Sequence, residues 1–175
     1  MAKALYIAEK PSVAQEFAKA LKINGQRKDG YLESDEAIVT WCVGHLVTMS
    51  YPEVYDEKYK RWSLQTLPFI PQEFLYEVIP GVKKQFEIVK GLLNRPDVET
   101  IYVCTDSGRE GEYIYRLVAQ MAGVKDKTQK RVWIDSQTVK IIDSYLCSDL
   151  PMWSLVIPAH IMKKCRENYY IQIST

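Results

Sequence analysis

Apolar positions along the chain change their period several times, and each change marks an element. "ALYIAE" (4–9) is a continuous apolar run that closes on a carboxylate, the pattern of a short buried strand. "KPSVAQEFAKALKI" then puts Val13, Phe17, Ala20 and Leu21 on one helical face, with Pro11 in the first turn, where a missing N–H costs nothing. "EAIVTWCVG" (36–44) is rich in β-formers and stops at Gly44; turn residues in "KDGYLESDE" before it predict a strand or hairpin over 31–43. Residues 51–80 carry Pro52, Pro68, Pro71 and Pro80 with aromatics between them, which predicts a long ordered loop with little regular structure.

Helical period returns in "VKKQFEIVKGLLN", with Val82, Phe86, Val89 and Leu93 on one stripe. "TIYVC" (100–104) reads as a second buried strand. In "EYIYRLVAQMAG" Ile114, Leu117, Val118 and Met121 share a face, and Gly123 is a natural stop. "KRVWI" (130–134) is a third strand candidate, and "SQTVKIIDSYL" a further helix opened by Ser136 or Thr138. Strands alternating with helices imply an α/β fold, a parallel-rich sheet with helices on both faces. Periodicity fades after residue 148, so 1–148 is expected to be the domain. Residues 149–175 form a divergent tail: a docked extension, the start of a following segment, or a truncated end.

Composition narrows the class. The 175 residues suit one domain, and 47% hydrophobic with 26% charged is the balance of a globular protein. No apolar run approaches the roughly 20 residues of a membrane span, and "MAKALYIAEK" lacks a signal-peptide layout, so a cytoplasmic chain without membrane contact is expected. Cys42, Cys104, Cys147 and Cys165 show no paired spacing; reduced thiols are expected rather than zinc or disulfides. A net charge of +1 means that any polyanion must use local patches.

Chemistry concentrates in "TDSGREGE" (105–112), which packs Asp106, Glu110 and Glu112 with Arg109 around Gly108 and Gly111 at a strand-to-helix turn. Glu9 closes the first strand. If the two strands are neighbours, Glu9 and Asp106 meet at the carboxyl edge of the sheet, where open α/β sheets form their sites, and Glu110 follows in the first helical turn. Three converging carboxylates repel one another, so either one keeps its proton or a hard cation sits among them. Oxygen-only donors suit Mg²⁺ better than zinc. The glycines would keep the turn tight and leave room for a phosphate, with Lys10 and Arg109 to supply positive charge. The plainer reading is an acidic helix start with intrahelical ion pairs.

These segments resemble a known family. "LYIAEKPSVAQEFAKAL", "VGHLVTMSYPEVY", "TDSGREGEYIYR" and "RVWIDSQT" occur in the order found in type IA DNA topoisomerases, most closely the bacterial topoisomerase III branch. Over residues 1–145 they resemble that family's Toprim domain, a Rossmann-like α/β unit. The family breaks one DNA strand through a tyrosyl phosphodiester, passes another strand through the gap and reseals it. The resemblance implies that Glu9 belongs to the acid/base apparatus and lies near the metal, that Asp106 and Glu110 match the Mg²⁺-holding motif, and that Lys10 steadies the scissile phosphate. It implies a DNA contact for His45 of the "GH" segment. Gly108 stands where many Toprim proteins carry a second aspartate, which removes a ligand for a second metal. Asp135 replaces an expected serine. The family's nucleophilic tyrosine belongs to a later domain, so the remaining topoisomerase domains are expected in cis and this chain alone is expected not to relax DNA.

"EKYKRWSLQTLPF" interleaves Lys58, Lys60 and Arg61 with Tyr59 and Trp62, a composition suited to single-stranded DNA, with phosphates on the cations and bases on the rings. A solvated loop pinned by Trp62 is its plainer reading. Two rival functions stand beside the topoisomerase: a free-standing Toprim nuclease using metal-activated water, and a non-catalytic DNA-binding module.

Overall fold

The computed structural model describes residues 2–23, 25–61 and 63–132, and the backbone of Val156–Pro158. In chain order the elements are β1 (Lys3–Ala8), α1 (Pro11–Ala20), β2 (Gln26–Lys28), β3 (Tyr31–Glu33), β4 (Ala37–Trp41), β5 (Val47–Met49), β6 (Tyr76–Val78), α2 (Lys83–Leu93), β7 (Val98–Cys104), α3 (Arg109–Ala122), β8 (Thr128–Val132) and β9 (Val156–Pro158). The main sheet runs β2-β3-β4-β1-β7-β8-β9. Its centre, β4-β1-β7-β8, is parallel, and β2, β3 and β9 pair antiparallel at the margins.

Strand alternation explains the layers. Leu5 and Ile7 of β1, Ile38 of β4, and Ile101 and Val103 of β7 join a core with Phe86 and Val89 of α2 and Ile114 and Val118 of α3. The intervening Tyr6, Ala8, Val39, Tyr102 and Cys104 point the other way and pack on Ala14, Phe17 and Ala18 of α1. Burying Phe17 or Phe86 contributes about 1.5–3 kcal/mol each. The expected α/β sheet covered on both faces is thus the observed one. Pro11 opens α1, and Gly123, at φ 68, ends α3 in the left-handed conformation that residues with a Cβ avoid.

The long loop is more regular than its prolines predict. β5 and β6 pair antiparallel across it, Val47 opposite Val78, and β5 packs against α3. Between them lie 3₁₀ turns at Pro52–Val54, Glu57–Lys60 and Leu64–Thr66. Phe69 sits edge-on to Tyr55 and Tyr59, with centroids 5.1 and 4.8 Å apart. The Tyr55 hydroxyl accepts from the Leu75 N–H at 2.6 Å. Aromatic packing orders the segment where backbone ladders do not. The helix expected at 136–146, together with Trp133, Asp135, Cys147, Cys165 and the tail, lies outside the described residues.

The edge opposite the strands' carboxyl ends is fastened by charge. Glu33 accepts from Lys3 Nζ at 2.8 Å, Lys28 Nζ at 2.7 Å and Arg95 Nη2 at 2.8 Å. Those bonds hold its carboxyl down from the ordinary 4.5 to about 2, Arg95 contributing most.

Candidate active site at the carboxyl ends of β1 and β7

In the sheet β1 has β4, the later strand of the first half of the chain, on one side and β7, which opens the second half, on the other, so the strand order reverses at the β1–β7 boundary. Such a switch point leaves a crevice beyond the carboxyl ends of the strands. The register Ala8↔Cys104 carries both chains over the edge together, into Glu9 on one side and Thr105–Asp106 on the other. The neighbourhood inferred from sequence is therefore present in the fold.

Glu9 is only 9% exposed, and its Oε2 is buried without a hydrogen-bond partner. Its carbonyl accepts from the Gly44 N–H at 3.3 Å, and the Ala8 carbonyl from the Cys42 N–H at 2.8 Å, which straps the loop after β4 against the end of β1. The Cys42 thiol is pushed up to about 12, by burial first and by the nearby Glu9 charge second. Cys42 and Cys104 are both buried.

The acidic turn is built on Thr105, 1% exposed, whose hydroxyl donates to the Gly111 carbonyl at 2.8 Å. The same oxygen accepts from Arg131 Nη1 at 2.6 Å, and Arg131 Nη2 donates to the Asp106 carbonyl. Arg131, on β8, is 3% exposed. Burial lowers its guanidinium pKa, opposed chiefly by Glu112, whose Oε2 lies 3.8 Å from Nη1. Arg131 Nε and Glu112 Oε2 are buried and lack hydrogen-bond partners. Arg131 therefore positions the backbone of the turn from beneath.

The two glycines differ. A Cβ at Gly111 would stand 2.6 Å from the Asp106 nitrogen, so only glycine permits helix and turn to approach this closely. A Cβ at Gly108 would meet nothing within 4 Å, and its φ of −77 is open to any residue. The expectation that both glycines keep the turn tight holds for Gly111 and fails for Gly108, which borders open space.

Asp106 is exposed at the rim, Arg109 opens α3 and Lys10 precedes α1, both exposed. Glu110, with its side chain 73% exposed, pairs through Oε1 with Nε2 of His45, and the His45 ring meets Tyr113 edge-on with centroids 6.0 Å apart. Lys60 and Arg61 are exposed on the β5–β6 excursion; Trp62 lies outside the described residues. Among the described residues no three His, Cys, Asp or Glu side chains are gathered closely enough to hold a metal ion. The donor chemistry nonetheless fits a hard divalent cation: a buried carboxylate oxygen of Glu9 without a partner, with the carboxylates of Asp106 and Glu110 as the further oxygen donors of the same sheet edge. The sequence pattern singles out neither Arg131 nor the pairing of His45 with Glu110. An arginine inside an apolar strand was the available signal for the first; the second had none, because the two residues are 65 positions apart.

The Toprim domain family matches residues 4–136. The chain is 49% identical over 142 residues to a DNA topoisomerase 3 of Bacillus cereus, covering 81% of this chain and 19% of that protein. It is 48% identical over 140 residues to a DNA topoisomerase 3 of Staphylococcus saprophyticus, covering 80% and 19%. It spans about a fifth of the length of these relatives. Full-length topoisomerase I from Thermotoga maritima shares the fold at a TM-score of 0.50 and 22% identity, over 79% of this chain and 19% of that one.

Proposed function

The chain belongs to the Toprim family, and from that premise we propose that it supplies the acid/base half of single-strand DNA cleavage and religation in a type IA topoisomerase of the topoisomerase III kind. The observation that carries the reading is the buried, unpartnered Oε2 of Glu9 beside the Thr105–Gly111 turn. A desolvated carboxyl with a free oxygen is equipped to give a proton to the leaving 3′ oxygen and to take it back on religation. Lys10 and Arg109 stand at the starts of α1 and α3, where their charge adds to that of the helix N-termini in holding the scissile phosphate. Glu9, Asp106 and Glu110 are the residues that would hold Mg²⁺, which when bound orients and neutralises the phosphate. Gly108 contributes no second aspartate, which favours a single-metal site. Lys60 and Arg61, with Trp62, are assigned to single-stranded DNA, and the tyrosine nucleophile to domains in cis beyond this region. The DNA topoisomerase 3 relatives support this reading.

The test is a Mg²⁺ titration of the chain followed by backbone amide shifts, with Asp106→Asn in parallel. Saturable shifts centred on residues 9, 106 and 110, abolished by the substitution, are expected. Absence of localised shifts at millimolar Mg²⁺ would overturn the metal assignment in favour of a DNA-binding module. Incubation with single-stranded DNA and Mg²⁺ should leave the DNA intact. Cutting that disappears in Glu9→Gln would replace the topoisomerase reading with a nuclease.

A further inference from the structure

We propose that His45 is a positioning residue that competes with the divalent cation for Glu110, so that the metal site is completed only when the His45–Glu110 pair opens. The proposal rests on the metal reading above. Within that set, Glu110 is engaged by a side chain from another loop: its Oε1 meets His45 Nε2. The histidine is held in place independently. Its loop is tied to β1 through the Cys42 and Gly44 N–H groups, and the following Leu46 is buried, its carbonyl accepting from the Ile79 N–H at 3.0 Å. The Tyr113 ring, one helical turn on from Arg109, closes on the imidazole edge-on. Glu110 is thus drawn toward the loop after β4. In that arrangement the described residues gather no three-ligand cluster, although Glu9 keeps a buried oxygen unpartnered.

The pair is weak enough to exchange. Its side chains are 35% and 73% exposed, and ion pairs in such surroundings contribute little. A divalent cation beside Glu9 and Asp106 offers Glu110 a stronger partner. His45 would then be free to meet a phosphate or base, so the expected DNA contact and the observed pairing become successive roles of one side chain.

The test uses the whole chain. Mg²⁺ affinity is measured by amide shifts for wild type, His45→Ala, Glu110→Gln and the double variant, and the imidazole ¹⁵N resonances are followed in wild type. The chain has two histidines, so His45 is assigned by its loss in the alanine variant. His45→Ala should bind Mg²⁺ about two- to fivefold more tightly, the gain expected from removing a weak competing pair. The same substitution should change nothing in the Glu110→Gln background. In wild type, saturation with Mg²⁺ should move the His45 Nε2 resonance, a readout that needs no substitution. Unchanged or weaker Mg²⁺ binding by His45→Ala, or an imidazole resonance indifferent to Mg²⁺, overturns the role of His45 and leaves the metal site standing. No localised Mg²⁺ response in wild type overturns both.

Discussion

Replacing Thr105 with valine removes one hydroxyl while conserving shape, which isolates the two bonds that hold the acidic turn. That hydroxyl donates to the Gly111 carbonyl at 2.8 Å and accepts from Arg131 Nη1 at 2.6 Å. A neutral bond is worth about 0.5–1.5 kcal/mol and one to a charged group about 1.5–3 kcal/mol. Arg131 has no ready substitute, since it is 3% exposed, its Nε already lacks a partner and Glu112 lies 3.8 Å away. Water cannot easily repair the loss, because Thr105 itself is 1% exposed. Thr105→Val should therefore cost about 3 kcal/mol, or about 6–12 °C in Tm for a chain of this length. Thr105→Ser keeps both bonds and loses one methyl, for about 1 kcal/mol. Denaturant unfolding gives the free energies, and the amide resonances of Asp106 and Gly111 report on the turn. If the valine variant is as stable as the serine variant, with unmoved amides, then Arg131 does not act through Thr105 and the account of the turn is wrong.

Two further outcomes follow from the same geometry. Gly111→Ala should cost about 1–3 kcal/mol as an overpacked contact with the Asp106 backbone, whereas Gly108→Ala should leave the melting temperature nearly unchanged; equal effects would mean that Gly111 has room to spare. At the opposite edge, the lowered carboxyl of Glu33 implies stability that is fully present above pH 4.5 and drains away as the pH falls toward 2. Full conversion gives about 3 kcal/mol, and the exposure of Lys28 reduces that to about 2. Glu33→Gln should lose this amount at pH 7, with the gap to wild type closing between pH 4.5 and 2 in urea unfolding. A gap that does not depend on pH would remove the ionic explanation.

The sequence by itself determined the layers and the chemical inventory. Buried runs such as "LYIA" and "IYVC" have no periodic alternative of their length, and the stripe from Ile114 to Met121 has a helical period. Side-chain direction is set by local backbone geometry, so these patterns are legible without knowing any neighbour. The neighbourhood of Glu9 and Asp106 was legible too, because parallel strands joined by helices bring their carboxyl ends to one edge.

What the tertiary structure alone decided is how the side chains at that edge are partnered. Arg131 reaches under Thr105 from a strand 26 residues away. His45 takes Glu110 from a loop on the far side of β1. β5 and β6 find each other across a proline-rich excursion that reads as loop. Gly108, expected to keep the turn tight and leave room for a phosphate, faces open space, while Gly111 is held against Asp106. Each of these depends on distances between segments remote in sequence. Hydrophobic period carries no information about them: it specifies which face of an element is buried, but not which polar group will stand opposite once the elements are packed.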